Sequence, residues 1–241
     1  MKTITRVALA LACYGSVAHA MPIATTGIYS ASAVAIIEPS LTDTQDGSSP
    51  SGTLLLPVSA STSLGFNSAF GTGIADNGFL SAGTDITSED ADASALGYAE
   101  FTGTFVAPNS AFRLHIDVSN TGLASGQDAT AETVFGLNLM AGLTTLWSFE
   151  LHYPLFNDTA LLNQAFDQMF SLPTGTLADL TVYVLTTANV LSPGEATNLA
   201  SIQFDLATVP EPTTLFSLMA GLALMGYTVR KRDVPSNVRI G

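Results

Sequence analysis

Two histidines and the carboxylates beside them are the residues of this chain whose types and spacing could do chemistry. His115 stands two places before Asp117, and His152 two places after Glu150. At that spacing both members of a pair share one face of an extended strand. There an imidazole and a carboxylate could exchange a proton or begin a metal site. Neither histidine shows the short multi-ligand spacing of a zinc motif, so two solvated histidines on separate strands is the plainer reading. Asp117 and Glu150 could also serve as the carboxylate pair of a glycoside hydrolase if they faced each other across a cleft. In so acidic a chain, that coincidence is easily met.

Carboxylates also crowd at Asp85, Glu89, Asp90 and Asp92, and at Asp43 and Asp46. Calcium takes several oxygen ligands from flexible loops, so Asp85, Glu89, Asp90 and Asp92 are candidate calcium ligands. The EF-hand order is missing, and a solvated acidic surface explains such a run equally. Four aromatics, Trp147, Phe149, Tyr153 and Tyr183, could form a sugar-stacking platform. Trp147 and Phe149 share the predicted inward face with Leu151, however, and read as core. Tyr183 is the better candidate for exposure.

Catalytic machinery of other kinds is missing from the sequence. There is no Gly-x-Ser-x-Gly elbow, no phosphate-binding loop and no dinucleotide glycine fingerprint. The single cysteine, Cys13, lies in the leader described below, which leaves the remainder without thiol or disulfide chemistry. No catalytic residue and no required cofactor is expected.

Charge narrows the partners. Between Met21 and Val209 there are eighteen Asp and Glu against the single Arg113, a formal charge of −17. Nucleic acid is excluded as a partner, because phosphate binding needs Lys and Arg to displace condensed counterions. Neutral polymers and divalent cations remain.

The elements that would position these residues are strands. Phe112, Leu114, Ile116 and Val118 alternate with Arg113, His115, Asp117 and Ser119, the period of a half-buried strand. Trp147 to Tyr153 and Ile202 to Leu206 alternate in the same way, and Leu180 to Leu185 reads as a more deeply buried strand. Residues 22–100 are rich in Ser, Thr, Gly, Ala and Asp, with turn signals at Asp46-Gly47, Asp76-Asn77-Gly78 and Ser81-Ala82-Gly83. Leu161, Leu162, Ala165, Phe166, Met169 and Phe170 recur at helical spacing between Asp158 and Pro173, which predicts one short helix. The expected fold is all-β, an antiparallel β-sandwich of jelly-roll type with that helix. A β-solenoid lacks the necessary repeat, and residues 40–100 could alternatively be disordered.

Both ends read as addresses. Lys2 and Arg6 precede an apolar run from Val7 to Tyr14, and Ala18 and Ala20 provide the small side chains a signal peptidase accepts, so cleavage is expected after Ala20. Lipidation at Cys13 is the alternative, with a short apolar stretch before it. At the other end Pro210, Glu211 and Pro212 precede seventeen uncharged residues from Thr213 to Val229, followed by Arg230, Lys231 and Arg232. As a helix the apolar run reaches ~25 Å against a hydrocarbon core of ~30 Å, so it could just span with its basic residues snorkelling. The basic triplet should stay cytoplasmic, placing residues 21–209 outside the inner membrane.

The order of Pro-Glu-Pro, apolar helix and basic cluster over Val209 to Arg232 resembles the PEP-CTERM sorting domain of Gram-negative bacteria. The resemblance implies processing by an exosortase, a membrane-embedded cysteine protease or transpeptidase, and association with exopolysaccharide, biofilm or floc material. The tail from Asp233 to Gly241 runs on longer than is usual there. The expected organisation is a signal peptide over 1–20, a mainly β extracytoplasmic domain over 21–208, a sorting and anchor segment over 209–232, and a tail over 233–241. The expected role is a non-catalytic surface or matrix protein, held transiently at the inner membrane and then released to the cell surface or matrix. A secreted polysaccharide-acting hydrolase and a simple membrane-anchored envelope protein are the alternatives.

Overall fold

Among the described residues, twelve antiparallel strands build two six-stranded sheets packed face to face. The structure is a computed structural model, and it describes residues 23, 25–39, 41–50, 57–76, 78–108, 111–126, 128–191, 193–209 and 222. The strands are β1 (Thr26–Ile37), β2 (Leu41–Pro50), β3 (Val58–Leu64), β4 (Asn67–Asp76), β5 (Phe79–Ser88), β6 (Ala93–Val106), β7 (Phe112–Gly126), β8 (Ala129–Ala141), β9 (Thr144–Phe156), β10 (Thr159–Phe170), β11 (Leu177–Val190) and β12 (Gly194–Thr208). One sheet has the order β2-β1-β6-β11-β8-β9 and the other β10-β7-β12-β5-β4-β3.

The last eight strands form a nested ribbon. β5 pairs with β12, β6 with β11, β7 with β10 and β8 with β9, all antiparallel. Each connection in this series crosses to the other sheet except the β8–β9 hairpin. A long antiparallel ribbon has thus been rolled so that its two halves stack, the double-sheet arrangement of jelly rolls. The β1–β2 and β3–β4 hairpins widen the two sheets on the same side.

Alternation decides what is buried. On β7 the residues Phe112, Leu114, Ile116 and Val118 are inside, while Arg113, His115, Asp117 and Ser119 point out. β12 buries Ile202, Phe204 and Leu206 in the same way, as the sequence period requires. Phe101, Phe112 and Phe135 are fully buried, each worth ~2–3 kcal/mol of burial. They belong to one hydrophobic cluster at one end of the sandwich, whereas the other end is lined by Ala33, Ala35, Ala95, Ala124, Ala131, Ala188 and Ala196. Between the two ends runs a buried polar belt: Asn120, Thr133 and Asn198 occupy inward positions on β7, β8 and β12, with Thr84 and Thr186 beside them. Thr133 Oγ1 donates to Asn120 Oδ1 at 3.2 Å and accepts from Asn198 Nδ2 at 2.7 Å.

Small residues let the sheets close up at the alanine end. Packed sheets usually stand ~10 Å apart, but Cα atoms of β4 come within 8 Å of those of β1 and β6 in the opposite sheet. A Cβ on Gly71, Gly73 or Gly97 would collide with backbone carbonyls of the facing sheet, including those of Leu96, Tyr98 and Thr72. The Gly and Ala content of this half therefore serves close approach, and Ala33, Ala35, Ala69 and Ala95 follow the same inward alternation.

Several sequence expectations are corrected. The helix expected over Leu161–Phe170 is strand β10. A spacing of four satisfies both the helical period and the strand period of two. Leu162, Phe166 and Phe170 form the row packed on the core, while Leu161, Ala165 and Met169 form the opposite, exposed row. Asp46-Gly47 lies inside β2 and Ser81-Ala82-Gly83 inside β5, whereas Asp76 ends β4 and Gly78 lies in the turn before β5. Residues 41–50, 58–64 and 67–76 are strands. The residues of the expected signal sequence, Ala18 and Ala20 among them, and Pro210, Glu211, Pro212, Arg230, Lys231 and Arg232 of the C-terminal segment lie outside the described residues. Among the described residues no helix is long and apolar enough to cross a membrane.

Candidate functional site

The chemistry-bearing side chains divide between the two outward faces of the sandwich. On the first face, pairing of β10 with β7 sets Asp167 opposite His115, and pairing of β12 with β7 sets Asp205 opposite it on the other side. His115 Nδ1 lies 3.0 Å from Asp167 Oδ1, and Nε2 lies 3.0 Å from Asp117 Oδ2. Arg113 Nε is 3.7 Å from the same Asp167 oxygen. Partial burial pulls the His115 pKa down, but the hydrogen bonds with Asp167 and Asp117 outweigh it, and the net direction is up. In the protonated form both ring nitrogens donate, and an imidazolium has no lone pair left for a metal.

A second His-centred cluster occupies the opposite face. His152 Nδ1 lies 2.8 Å from Glu132 Oε1 and Nε2 lies 2.6 Å from Glu150 Oε1. The hydrogen bonds of Glu132 and Glu150 raise the His152 pKa. The Tyr183 hydroxyl donates to Glu150 Oε2 at 2.8 Å, and this bond, followed by that of His152, lowers the Glu150 pKa. Burial first, then Glu150, pushes the Tyr183 hydroxyl up to about 12. Tyr98 stands beside it with ring centroids 6.3 Å apart, and its pKa is raised by burial and by Glu100.

Because β7 and β9 belong to different sheets and each turns its histidine outward, His115 and His152 do not meet. Asp117 and Glu150 are separated in the same way, so they do not flank a common cleft. Each histidine instead takes a second carboxylate from a neighbouring strand, Asp167 on β10 or Glu132 on β8.

Asp85, Glu89, Asp90 and Asp92 are placed around the β5–β6 turn. Asp85 sits on β5 opposite Phe70 of β4 and Thr197 of β12. Asp90 Oδ1 accepts from Asn67 Nδ2 at 2.7 Å. Buried Asn67 also accepts from Ser88 Oγ at 2.9 Å and from the Glu89 amide at 2.8 Å, so it staples the turn. Among the described residues, no group of three or more His, Cys, Asp or Glu side chains is arranged to hold a metal ion.

The four aromatics part company as well. Trp147, Phe149 and Tyr153 turn inward on edge strand β9. Trp147 lies 5.4 Å from Phe149 and 6.1 Å from Phe170, and Phe149 stacks on Phe166 at 5.2 Å. Tyr183 alone of the four lies on an outer face. Its companion Tyr98 escaped the sequence reading, although it stands two places before Glu100 at outward positions of β6.

The first face also carries a surface trough of ≈ 400 Å³, lined among others by Phe79, Asp117, Ser119, Asn163, Ser201 and Gln203. It crosses four adjacent strands, β10, β7, β12 and β5. Ser119 Oγ and Ser201 Oγ hydrogen-bond at 2.8 Å across its floor, and Phe79 stands 40% exposed at one end. Apart from Asp117, the sequence singled out none of them as a site residue, since they are spread over 125 positions and the strands that carry them meet only through register.

β12 ends at Thr208, and the Val209 amide closes it with a 2.7 Å hydrogen bond to the Ala111 carbonyl. Residues 208–232 match the family described as the PEP-CTERM protein-sorting motif. The chain carries a PEP-CTERM sorting domain. The sorting domain thus begins where the last strand of the sandwich stops. No curated protein matches the sequence at a significant level. Among solved structures, the chain is similar to TmCBM61 in complex with β-1,4-galactotriose, at 9% identity over 55% of this chain and 83% of that one, with a TM-score of 0.24. It is also similar to the enzymatically active domain of bacteriophage CBA120 tailspike protein 4, at 12% identity over 64% of this chain and 19% of that one, with a TM-score of 0.20. TM-scores this low do not establish a shared fold.

Proposed function

We propose that this PEP-CTERM protein is a non-catalytic component of the cell surface or extracellular matrix, sorted by an exosortase and associated with exopolysaccharide. The observation that carries this reading is the sorting motif itself, with Pro210, Glu211 and Pro212 ahead of the apolar run and Arg230, Lys231 and Arg232 behind it. In this reading a signal peptidase removes residues 1–20, the apolar run holds the chain transiently in the inner membrane, and the exosortase cuts near the Pro-Glu-Pro site. An acidic sandwich bearing two isolated carboxylate-histidine-carboxylate clusters suits a surface role. The hydrolase alternative loses its carboxylate pair, because Asp117 and Glu150 face away from each other.

Mass spectrometry of the mature protein tests the proposal. Cells with an intact exosortase should yield a chain that begins at Met21 and lacks Arg230 to Arg232, and cells without the enzyme should retain the triplet in the membrane fraction. Retention of the triplet in both strains would replace sorting with a plain membrane anchor.

A further inference from the structure

The geometry points to the trough over β10, β7, β12 and β5 as a binding site for a neutral polysaccharide chain. The inference rests on the exopolysaccharide reading and gives it a location and a ligand class. A sugar ring presents hydroxyls around its rim and C–H bonds on its faces. It is therefore recognised by paired donors and acceptors together with an aromatic surface, as in small-molecule sites where a few polar groups converge on apolar area. The trough supplies this set: the Asp117 carboxylate as acceptor, the Asn163 and Gln203 amides as donors and acceptors, Ser119 and Ser201 as hydroxyls, and the part-exposed Phe79 ring at the end.

Two features suit a polymer. From Phe79 on β5 to Asn163 on β10 the trough crosses three inter-strand gaps, ~14 Å at the usual spacing, wider than one sugar ring. It also lies on an open sheet face, where a chain could enter and leave at both sides. Asp117 is held in place by His115 Nε2 at 3.0 Å, so the acceptor is oriented before any ligand arrives, which lowers the ordering cost of binding.

Charge selects among glycans. The domain carries eighteen carboxylates against one arginine, and Asp117, Asp167 and Asp205 all lie on this face. Uronate, sulfate or phosphate groups would be repelled, whereas neutral hexose chains meet hydrogen-bonding groups and the Phe79 ring without that penalty.

Affinity electrophoresis of the purified full-length chain, in gels containing dextran, xyloglucan, galactomannan or alginate, tests the site. At least one neutral glycan should retard the protein and alginate should not. Phe79→Ala and the Asn163→Ala/Gln203→Ala pair should each weaken retardation about tenfold or more, with unchanged thermal unfolding, while Tyr183→Ala on the other face should leave it intact. No retardation by any neutral glycan, retardation that survives all the trough variants, or loss with Tyr183→Ala alone would each overturn the assignment. The mature C-terminus, read in the same preparations, separates the two claims, because sorting can proceed normally while the trough binds nothing, and the reverse.

Discussion

The Tyr183 hydroxyl donates a 2.8 Å hydrogen bond to Glu150 two strands away, and its ring passes directly over Gly136 on the strand between them. A Cβ at position 136 would occupy the space of the ring. Glycine usually weakens a strand interior, and here an aromatic ring from the neighbouring strand covers it.

Gly136→Ala should therefore displace Tyr183 and break its bond to Glu150. The readout is phenol titration followed by ultraviolet absorbance, in which the wild-type Tyr183 should ionise at about 12. Glu150→Gln should lower that midpoint by removing the adjacent negative charge, yet leave it above the ordinary value of 10.0, because burial is the larger cause.

Close approach of the sheets makes Gly97 intolerant of any side chain. Its added Cβ would meet the backbone of Thr72 and Gly83 in the facing sheet, and backbone cannot rotate aside. Gly97→Ala should cost ~1–3 kcal/mol as overpacking, read from urea unfolding midpoints. Gly65→Ala is a contrasting case, since its Cβ would meet nothing and only its φ of 63° opposes the change.

The polar belt hangs on Thr133, which links Asn120 to Asn198. Thr133→Val keeps the shape but leaves the Asn198 Nδ2 donor and the Asn120 Oδ1 acceptor without it inside the sandwich. The expected loss is ~1–3 kcal/mol, measured by denaturant unfolding. Thr133→Ser, which keeps the hydroxyl, should recover most of it.

Both His-centred clusters give stability a pH dependence. The folded pKa of His115 and of His152 lies above the usual 6.5. Their contribution is thus fully present below pH 6.5 and is lost as pH rises through the folded values. Urea midpoints at pH 5.5 and 8.5 should show the wild type ahead of a His115→Gln/His152→Gln variant at the lower pH, with the gap closing at the higher one. NMR titration of the two imidazoles should place both midpoints above 6.5. Glu150 works in the other direction, its lowered pKa giving a contribution present above 4.5 and lost as pH falls through the folded value.

What the sequence determined by itself was the local alternation and the order of the C-terminal segment. Phe112 to Val118 and Ile202 to Leu206 show which side chains turn inward, because a period of two is a property of a single strand. The sorting domain was legible for a similar reason, since its parts lie consecutively along the chain. Tertiary structure decided everything that depends on register. Leu162, Phe166 and Phe170 at spacing four fit a helix or a strand, and pairing with β7 selects the strand. Asp167 reaches His115 across 52 residues and Ser201 reaches Ser119 across 82. No local pattern specifies such partners, because cross-strand neighbours are set by how the rolled ribbon closes, and a shift of one residue would turn each of them to the opposite face.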